Sequence, residues 1–314
     1  MNGNLRIIAI LLVLVAALVA PFVAYPVFLM TALCFALFAC AFNLLLGFAG
    51  LMSFGHAMFF GFAAYVCGHV VKEWNQPPEV GLLAGVAAAA AMGAVTGALA
   101  IRRQGIYFAM ITLAFSQMIY FFCVQVPFTH GEDGLQGIPR KAFLGGAIQV
   151  TSDISLYYVV LAIFLFGFLA IWRIIHSPFG QVLKAIRENE PRAISLGYNA
   201  TFYKWLAFIL SAAIAGLAGS TKALVLQFAT LTDVTAAMSG EVVLMALVGG
   251  LGTLFGPVVG AFVIITMQNY LASAGEWVLV IQGAIFVVIV LAFRKGIVGE
   301  IGDWLKARLR AAGS

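Results

Sequence analysis

Charged side chains are scarce in this sequence. Asp, Glu, Lys and Arg make up 9% of 314 residues, against about 25% in an ordinary soluble domain, so a water-soluble globule is excluded. The formal charge of +5 is not read as a nucleic-acid signal, because in such a chain the distribution of basic residues matters more than their sum. Cysteine is confined to Cys34, Cys40, Cys67 and Cys123, all within apolar runs and without CxxC or Cys/His ligand spacing. They read as small buried apolar residues rather than as disulfides or metal ligands. No G-x-x-x-x-G-K-[ST] phosphate loop occurs; if ATP powers this protein, another chain must bind it. The short alternating segments of a transmembrane β-barrel are missing too. No series of Asp, Glu and His crosses the apolar runs, which argues against a proton-coupled pump built from this chain alone.

What remains is apolar. Hydrophobic residues make up 63% of the chain and mean hydropathy is +1.07. Apolar runs reach the roughly 20 residues that cross a bilayer. The expected fold is an all-α, polytopic transmembrane bundle of about ten spans (eight to ten). They fall near 6–24, 27–46, 53–71, 80–101, 106–127, 156–175, 204–226, 241–256, 257–273 and 277–293. The N-terminal run has no clean small-residue cleavage site before a polar segment and reads as a retained first span. With the N-terminus in the cytoplasm, ten crossings return the C-terminus there. Thirteen basic residues then lie inside (Arg6, Arg102, Arg103, Arg173, Lys184, Arg187, Arg192, Lys204, Arg294, Lys295, Lys306, Arg308 and Arg310). Lys72, Arg140, Lys141 and Lys222 lie outside, in keeping with the positive-inside bias. The chain reads as one transmembrane domain, 1–314, with an external loop near 128–155 and a cytoplasmic loop near 177–204; 227–239 is a further external segment.

Two glycine-rich interruptions fall inside apolar stretches. The first runs through Gly47, Gly50, Ser53, Gly55 and His56 to Gly61. The second runs through Gly249, Gly250, Gly252, Gly256 and Pro257 to Gly260. Glycine at such places serves either close helix packing or a break in the helix, and Pro257 favours a break. Paired interruptions of this kind also mark translocation routes, which makes Asn43, Gly47, Gly50, Ser53, His56, Gly249, Gly252 and Gly256 path candidates. The other intramembrane polar residues are Thr112, Ser116, Gln117, Gln268, Asn269 and Gln282, with Glu241 at a span's start in need of a partner. His56 is either a proton relay or a hydrogen-bond partner for backbone freed by the break. With Ser53 it is also the one nucleophile–base pair that an intramembrane hydrolase could use.

The polar segment from Ser177 to Lys204 stands apart. Ser177 suits an N-cap and Pro178 the first helical position, giving a short helix to about Glu188. Asn189 or Glu190 can cap a second, with Pro191 in its first turn and Gly197 as its stop. Leu183, Ile186, Ala193, Ile194 and Leu196 offer apolar contacts. Lys184, Arg187, Glu188, Glu190 and Arg192 offer charged ones. An amphipathic loop lying on lipid headgroups would explain the basic residues but not the mixed charge or the defined stop, so docking to a cytoplasmic partner is the favoured reading.

Five stretches together resemble the permease subunits of branched-chain amino acid ABC importers, of the LivM type. They are NLLLGFAGLMSFGHAMFFGFAAY (43–65), GIYFAMITLAFSQM (105–118), GEDGLQGIP (131–139), SPFGQVLKAIRENEPRAISLGYNATFYKWLAFILSAAIAGLAG (177–219) and ALVGGLGTLFGPVVGA (246–261). The resemblance implies a heteromeric importer of the inner membrane, working by alternating access. A LivH-type second permease, two cytoplasmic ATPase subunits and a periplasmic substrate-binding protein would complete it within membrane lipid, with no role for nucleic acid. This chain would then hold no cofactor, with ATP and Mg bound by the ATPases, and would be a transport subunit rather than an enzyme. The 177–204 loop would be the coupling loop, of the type in which a Gly follows an Ala by four residues, as Gly197 follows Ala193. The Glu expected there is replaced by Pro191, with Glu190 one residue earlier. Glu132 and Asp133 in the external loop are candidates for contacting the binding protein, or a solvated turn. A urea or short-amide importer permease is the nearest alternative; a self-sufficient secondary transporter is the rival from another class.

Overall fold

In a computed structural model, residues 15–146, 149–150, 152–271, 277–293 and 296–300 are described. Arg6, Arg294, Lys295, Lys306, Arg308 and Arg310 lie outside them, as do residues 6–14 of the expected first span. The architecture is all-α. Helix α1 (15–23) is followed by α2 (Pro26–Asn43), where Pro26 takes the opening position that needs no donor. A π-helical turn, Leu44–Phe48, extends α2. Then come α3 (Ala57–Lys72), α4 (Pro78–Ala100), α5 (Ile106–Gln125), α6 (Asp153–His176), α7 (Pro178–Glu188), α8 (Glu190–Ser195) and α9 (Ala200–Leu226). Helices α10 (Ala236–Gly249), α11 (Gly256–Leu271) and α12 (Trp277–Ala292) complete the bundle. Among the described residues, five helices are long and apolar enough to cross a membrane: α2 with its π turn, α4, α5, α6 and α9.

Helix α2 is the axis of the bundle. Its apolar window is 89% buried, against 28% for α4 and α5, and its sequence is apolar all round, as a helix surrounded by others must be. Helices α3, α4 and α9 pack closely because small residues face each other. A side chain at Gly93 would stand 2.6 Å from the Ala212 methyl, and one at Gly219 would strike the Phe60 carbonyl. Without an aqueous hydrophobic drive between membrane helices, such close approach is the main source of cohesion. Ala212, Ala215, Gly216 and Gly219 are all buried in this seam.

The end that carries α7 and α8 is the one that the charge bias assigns to the cytoplasm, here the inner end. At the opposite end β1 (Leu135–Gln136) pairs antiparallel with β2 (Phe228–Ala229), Leu135 against Ala229. The segment 227–239 departs from the external loop expected of it. After β2 the chain re-enters the bundle as a 3₁₀ turn, Leu231–Val234, which buries Asp233 and Val234. A side chain at Gly61 would lie 2.7 Å from the Asp233 carbonyl carbon, so α3 accepts this turn only because residue 61 has none. Helix α10 therefore begins below the surface, at Ala236 rather than near 241. It is 14 residues long, about 21 Å at 1.5 Å per residue, short of the ~30 Å hydrocarbon core.

Candidate functional site

The inner loop is built by its caps. The Ser177 hydroxyl accepts the Gly180 N–H at 3.3 Å and Pro178 opens α7. Asn189 Oδ1 accepts the Arg192 N–H at 3.1 Å and opens α8. Helix α8 ends in a Schellman motif: Tyr198 N–H donates to the Ala193 carbonyl at 3.2 Å and Gly197 N–H to Ile194 at 2.9 Å. Gly197 has φ +91°, which a residue with a Cβ adopts at a cost. Leu183, Ile186 and Ala193 are buried beneath the loop, whereas Ile194, Leu196 and Tyr198 face away from the protein.

Helix α7 bonds to the first glycine-rich break and lies beside the second. The Arg187 guanidinium donates from Nη1 to the carbonyl of Gly47, in the π turn. Its aliphatic stem crosses Gly50, where an added Cβ would stand 3.1 Å from Arg187 Cγ, and Gly50 has φ +72°. On the other side Arg187 Nη1 lies 3.3 Å from where a Cβ at Gly252 would be. Buried Asn43 locks the two breaks together: Gly252 N–H donates to Asn43 Oδ1 at 3.0 Å, and Asn43 Nδ2 donates to the Thr253 carbonyl at 2.9 Å. Gly47 leaves no room for a side chain against the Gly252 nitrogen. Thus Asn43, Gly47, Gly50, Gly252 and Arg187, drawn from three separate stretches, meet at one place. Lys184 Nζ sits 5.7 Å from the Phe48 ring centroid above it, a favourable cation–π position.

Other candidates lie elsewhere. Gly249 and Gly256 form the crossing of α10 and α11, where a Cβ at Gly249 would meet the Gly256 carbonyl. His56 and Ser53 are buried deeper in the bundle and do not pair. His56 Nε2 is 3.0 Å from Ser211 Oγ, and the Ser211 hydroxyl donates to the Ala41 carbonyl. His56 is therefore the donor, and it reaches α2 backbone through Ser211 rather than directly. Phe38, Phe42 and Phe59 surround its ring. Ser53 Oγ accepts the Gly55 N–H at 3.4 Å instead, so the nucleophile–base pair is not formed. Glu190 is turned inward: its carboxylate accepts from Lys204 Nζ at 2.7 Å and Gln104 Nε2 at 3.0 Å, tying α8 to α9 and to the α4–α5 connection. Glu188 and Arg192 are exposed beside it, and Glu132 and Asp133 are exposed at the outer end. The four cysteines are free and buried, and no cluster suited to a metal ion occurs among the described residues.

Sequence reasoning missed one pair. Lys222, placed among the external basic residues, is buried one turn before the end of α9 and ion-paired to buried Asp233. Phe35, Phe60 and Phe228 ring centroids stand 5.8, 5.8 and 5.9 Å from its Nζ. A lysine inside an apolar run was the available signal, because charge at such a place needs a partner. Glu241 has its partner in Gln268, whose Nε2 donates at 3.2 Å.

Comparison with known proteins bears directly on this arrangement. Residues 25–290 match the family described as "Branched-chain amino acid transport system / permease component". The high-affinity branched-chain amino acid transport system permease protein LivM of Escherichia coli is 26% identical over 297 residues, 86% of this chain and 69% of that one. LivM of Salmonella typhimurium is 26% identical over 293 residues, 85% and 68% of the two chains. The ribose import permease protein RbsC of Bacillus subtilis is 30% identical over 174 residues, about half of each. No solved structure matches the chain. The match spans both glycine-rich breaks, the inner loop and every helix from α2 to α11, and the chain belongs to the branched-chain amino acid permease family: it is a multi-pass transport component of the inner membrane.

Proposed function

We propose that this chain is one of two permease subunits of an ATP-binding-cassette importer that carries branched-chain amino acids inward by alternating access. The substrate class follows the relatives named for it. A LivH-type second permease, a periplasmic binding protein and two ATPase subunits that bind ATP and Mg complete the assembly, with both termini of this chain in the cytoplasm. One observation carries the reading: a charged side chain of the inner loop binds the backbone of the first break, which Asn43 in turn joins to the second. The exposed side chains of α7, α8 and the turn that ends α8 (Glu188, Arg192, Ile194, Leu196 and Tyr198) form the ATPase-facing surface, while Ala193 and Gly197 set its shape. Arg187, Lys184 and Glu190 face the membrane bundle and pass its movement on. Closure of the ATPases displaces α7 and so acts on Gly47 and Gly252. Asn43 makes the two breaks move as one, and the Gly249–Gly256 crossing lets α10 and α11 follow. Glu132 and Asp133 remain on the outer surface to meet the binding protein.

A charge-assisted hydrogen bond contributes about 1.5–3 kcal/mol, enough to bias two arrangements by about tenfold or more. Arg187→Ala in the reconstituted importer is therefore expected to lower leucine uptake about tenfold while ATP hydrolysis continues. Arg187→Lys keeps the charge but not the planar fork and should rescue only part. Uptake per ATP equal to that of the parent in both variants would defeat the reading.

A further inference from the structure

Helix α5 has two unlike faces. One is fastened: Thr112 Oγ1 accepts the Phe54 N–H at 3.2 Å, and the Ser116 hydroxyl donates to the Val234 carbonyl at 3.5 Å. These bonds tie α5 to the first break and to the re-entrant turn. The other face is open. Met110, Leu113, Ala114, Gln117, Met118 and Phe121 follow one another along it at helical spacing, and all are exposed. Gln117 lies eleven residues beyond Ile106, the start of α5, about 16 Å along the axis and so near the middle of a ~30 Å hydrocarbon core. Among the described residues its carboxamide has no hydrogen-bond partner.

The outward faces of α4 and α6 differ in kind. At mid-membrane they expose Ala87, Ala91, Leu165 and Phe166, side chains that hydrocarbon solvates well. A carboxamide carries two donors and an oxygen with two acceptor positions, none of which hydrocarbon satisfies. Polar side chains at this depth face a helix partner or a water-filled cavity. The thioethers of Met110 and Met118 adapt to apolar groups of different shape.

We propose that the open face of α5 lines a water-accessible route through the assembled importer, where the Gln117 carboxamide hydrogen-bonds the ammonium and carboxylate of the passing amino acid. Met110, Leu113 and Met118 contact its aliphatic side chain. This rests on the importer reading above.

The test uses thiol labelling of the complete importer in proteoliposomes. The four native cysteines are buried, so the parent protein gives a low background. Gln117→Cys and Met110→Cys are expected to react with a membrane-impermeant, positively charged methanethiosulfonate, and leucine delivered by the binding protein should slow the reaction at Gln117→Cys. Leu83→Cys, exposed on α4, should stay silent. Gln117→Leu is expected to lower uptake of leucine, isoleucine and valine alike by about tenfold, the loss of one hydrogen bond to a charged group. A silent Gln117→Cys in an importer that still transports would mean that a partner chain or lipid covers this face, and would overturn the proposal while leaving the importer reading intact. Labelling at Gln117→Cys with unchanged uptake by Gln117→Leu would overturn the carboxamide's role. A parent complex that imports none of the three amino acids would instead defeat the underlying functional reading.

Discussion

Removing one partner of the Lys222–Asp233 pair should destabilise the protein far more than removing both. The two side chains are 8% and 2% exposed, so water screens them little. In Asp233→Leu the Lys222 ammonium loses its ion-pair partner and keeps the rings of Phe35, Phe60 and Phe228 with the more distant Glu241 carboxylate, none of which replaces a direct ion pair. In Lys222→Met, Asp233 retains only the Thr230 hydroxyl, at 3.4 Å. Breaking a buried pair from one side costs about 3–5 kcal/mol, whereas replacing both members by apolar residues of similar volume is about neutral. At roughly 2 °C per kcal/mol for a chain of this size, each single variant should lose about 6–10 °C in Tm. The double variant Lys222→Met/Asp233→Leu should melt within about 2 °C of the parent. Fluorescence-detected size exclusion of the detergent-solubilised protein after a heating series reads this directly. Losses in the double variant equal to the sum of the singles would show that the groups act separately and would refute the reasoning.

Two further outcomes follow from the inner end. Asn43→Leu breaks both bonds between the glycine-rich breaks and leaves the Gly252 N–H without its acceptor; a cost of about 2–4 kcal/mol should appear as a Tm loss of about 4–8 °C, together with reduced uptake per ATP in the reconstituted importer. Glu190→Lys sets two ammonium groups against each other where an ion pair now binds α8 to α9, and trypsin should cleave the inner loop about tenfold faster in inverted membrane vesicles, with Glu190→Lys/Lys204→Glu restoring resistance. An unchanged cleavage rate in the single variant would show that Glu190 braces nothing.

The inner loop was legible because its signals are local. Ser177, Pro178, Asn189 and Gly197 each act within one helical turn, and α7 and α8 begin and end where they dictate. The breaks were legible as glycine clusters, but their convergence was not. Asn43 and its partners Gly252 and Thr253 are 209 and 210 residues apart, and no spacing rule reaches across such a distance. The direction of Arg187 was hidden for a related reason. On an amphipathic helix a charged residue reads as facing water, and only the missing side chain at Gly50 lets its stem turn back. Hydropathy placed α10 as a full crossing because it counts apolar residues and cannot see a helix that starts below the surface. The same blindness put Lys222 outside, since its partner arrives on a turn that reads as an external loop.

Helix α9 is an unbroken run of 27 residues, about 40 Å long, clamped near both ends by an ion pair: Lys204 to Glu190 and Lys222 to Asp233. The clamps are 18 residues apart, about 27 Å along the shaft. The shaft is a lever. Rocking it by about 5° with one clamp as fulcrum swings the other by about 2 Å, while hydrogen-bonded heavy atoms tolerate only about 0.5 Å of play. A rigid rotation of that size about the Glu190–Lys204 clamp, with Asp233 held in place, would carry the Lys222 backbone further than the play of the far ion pair.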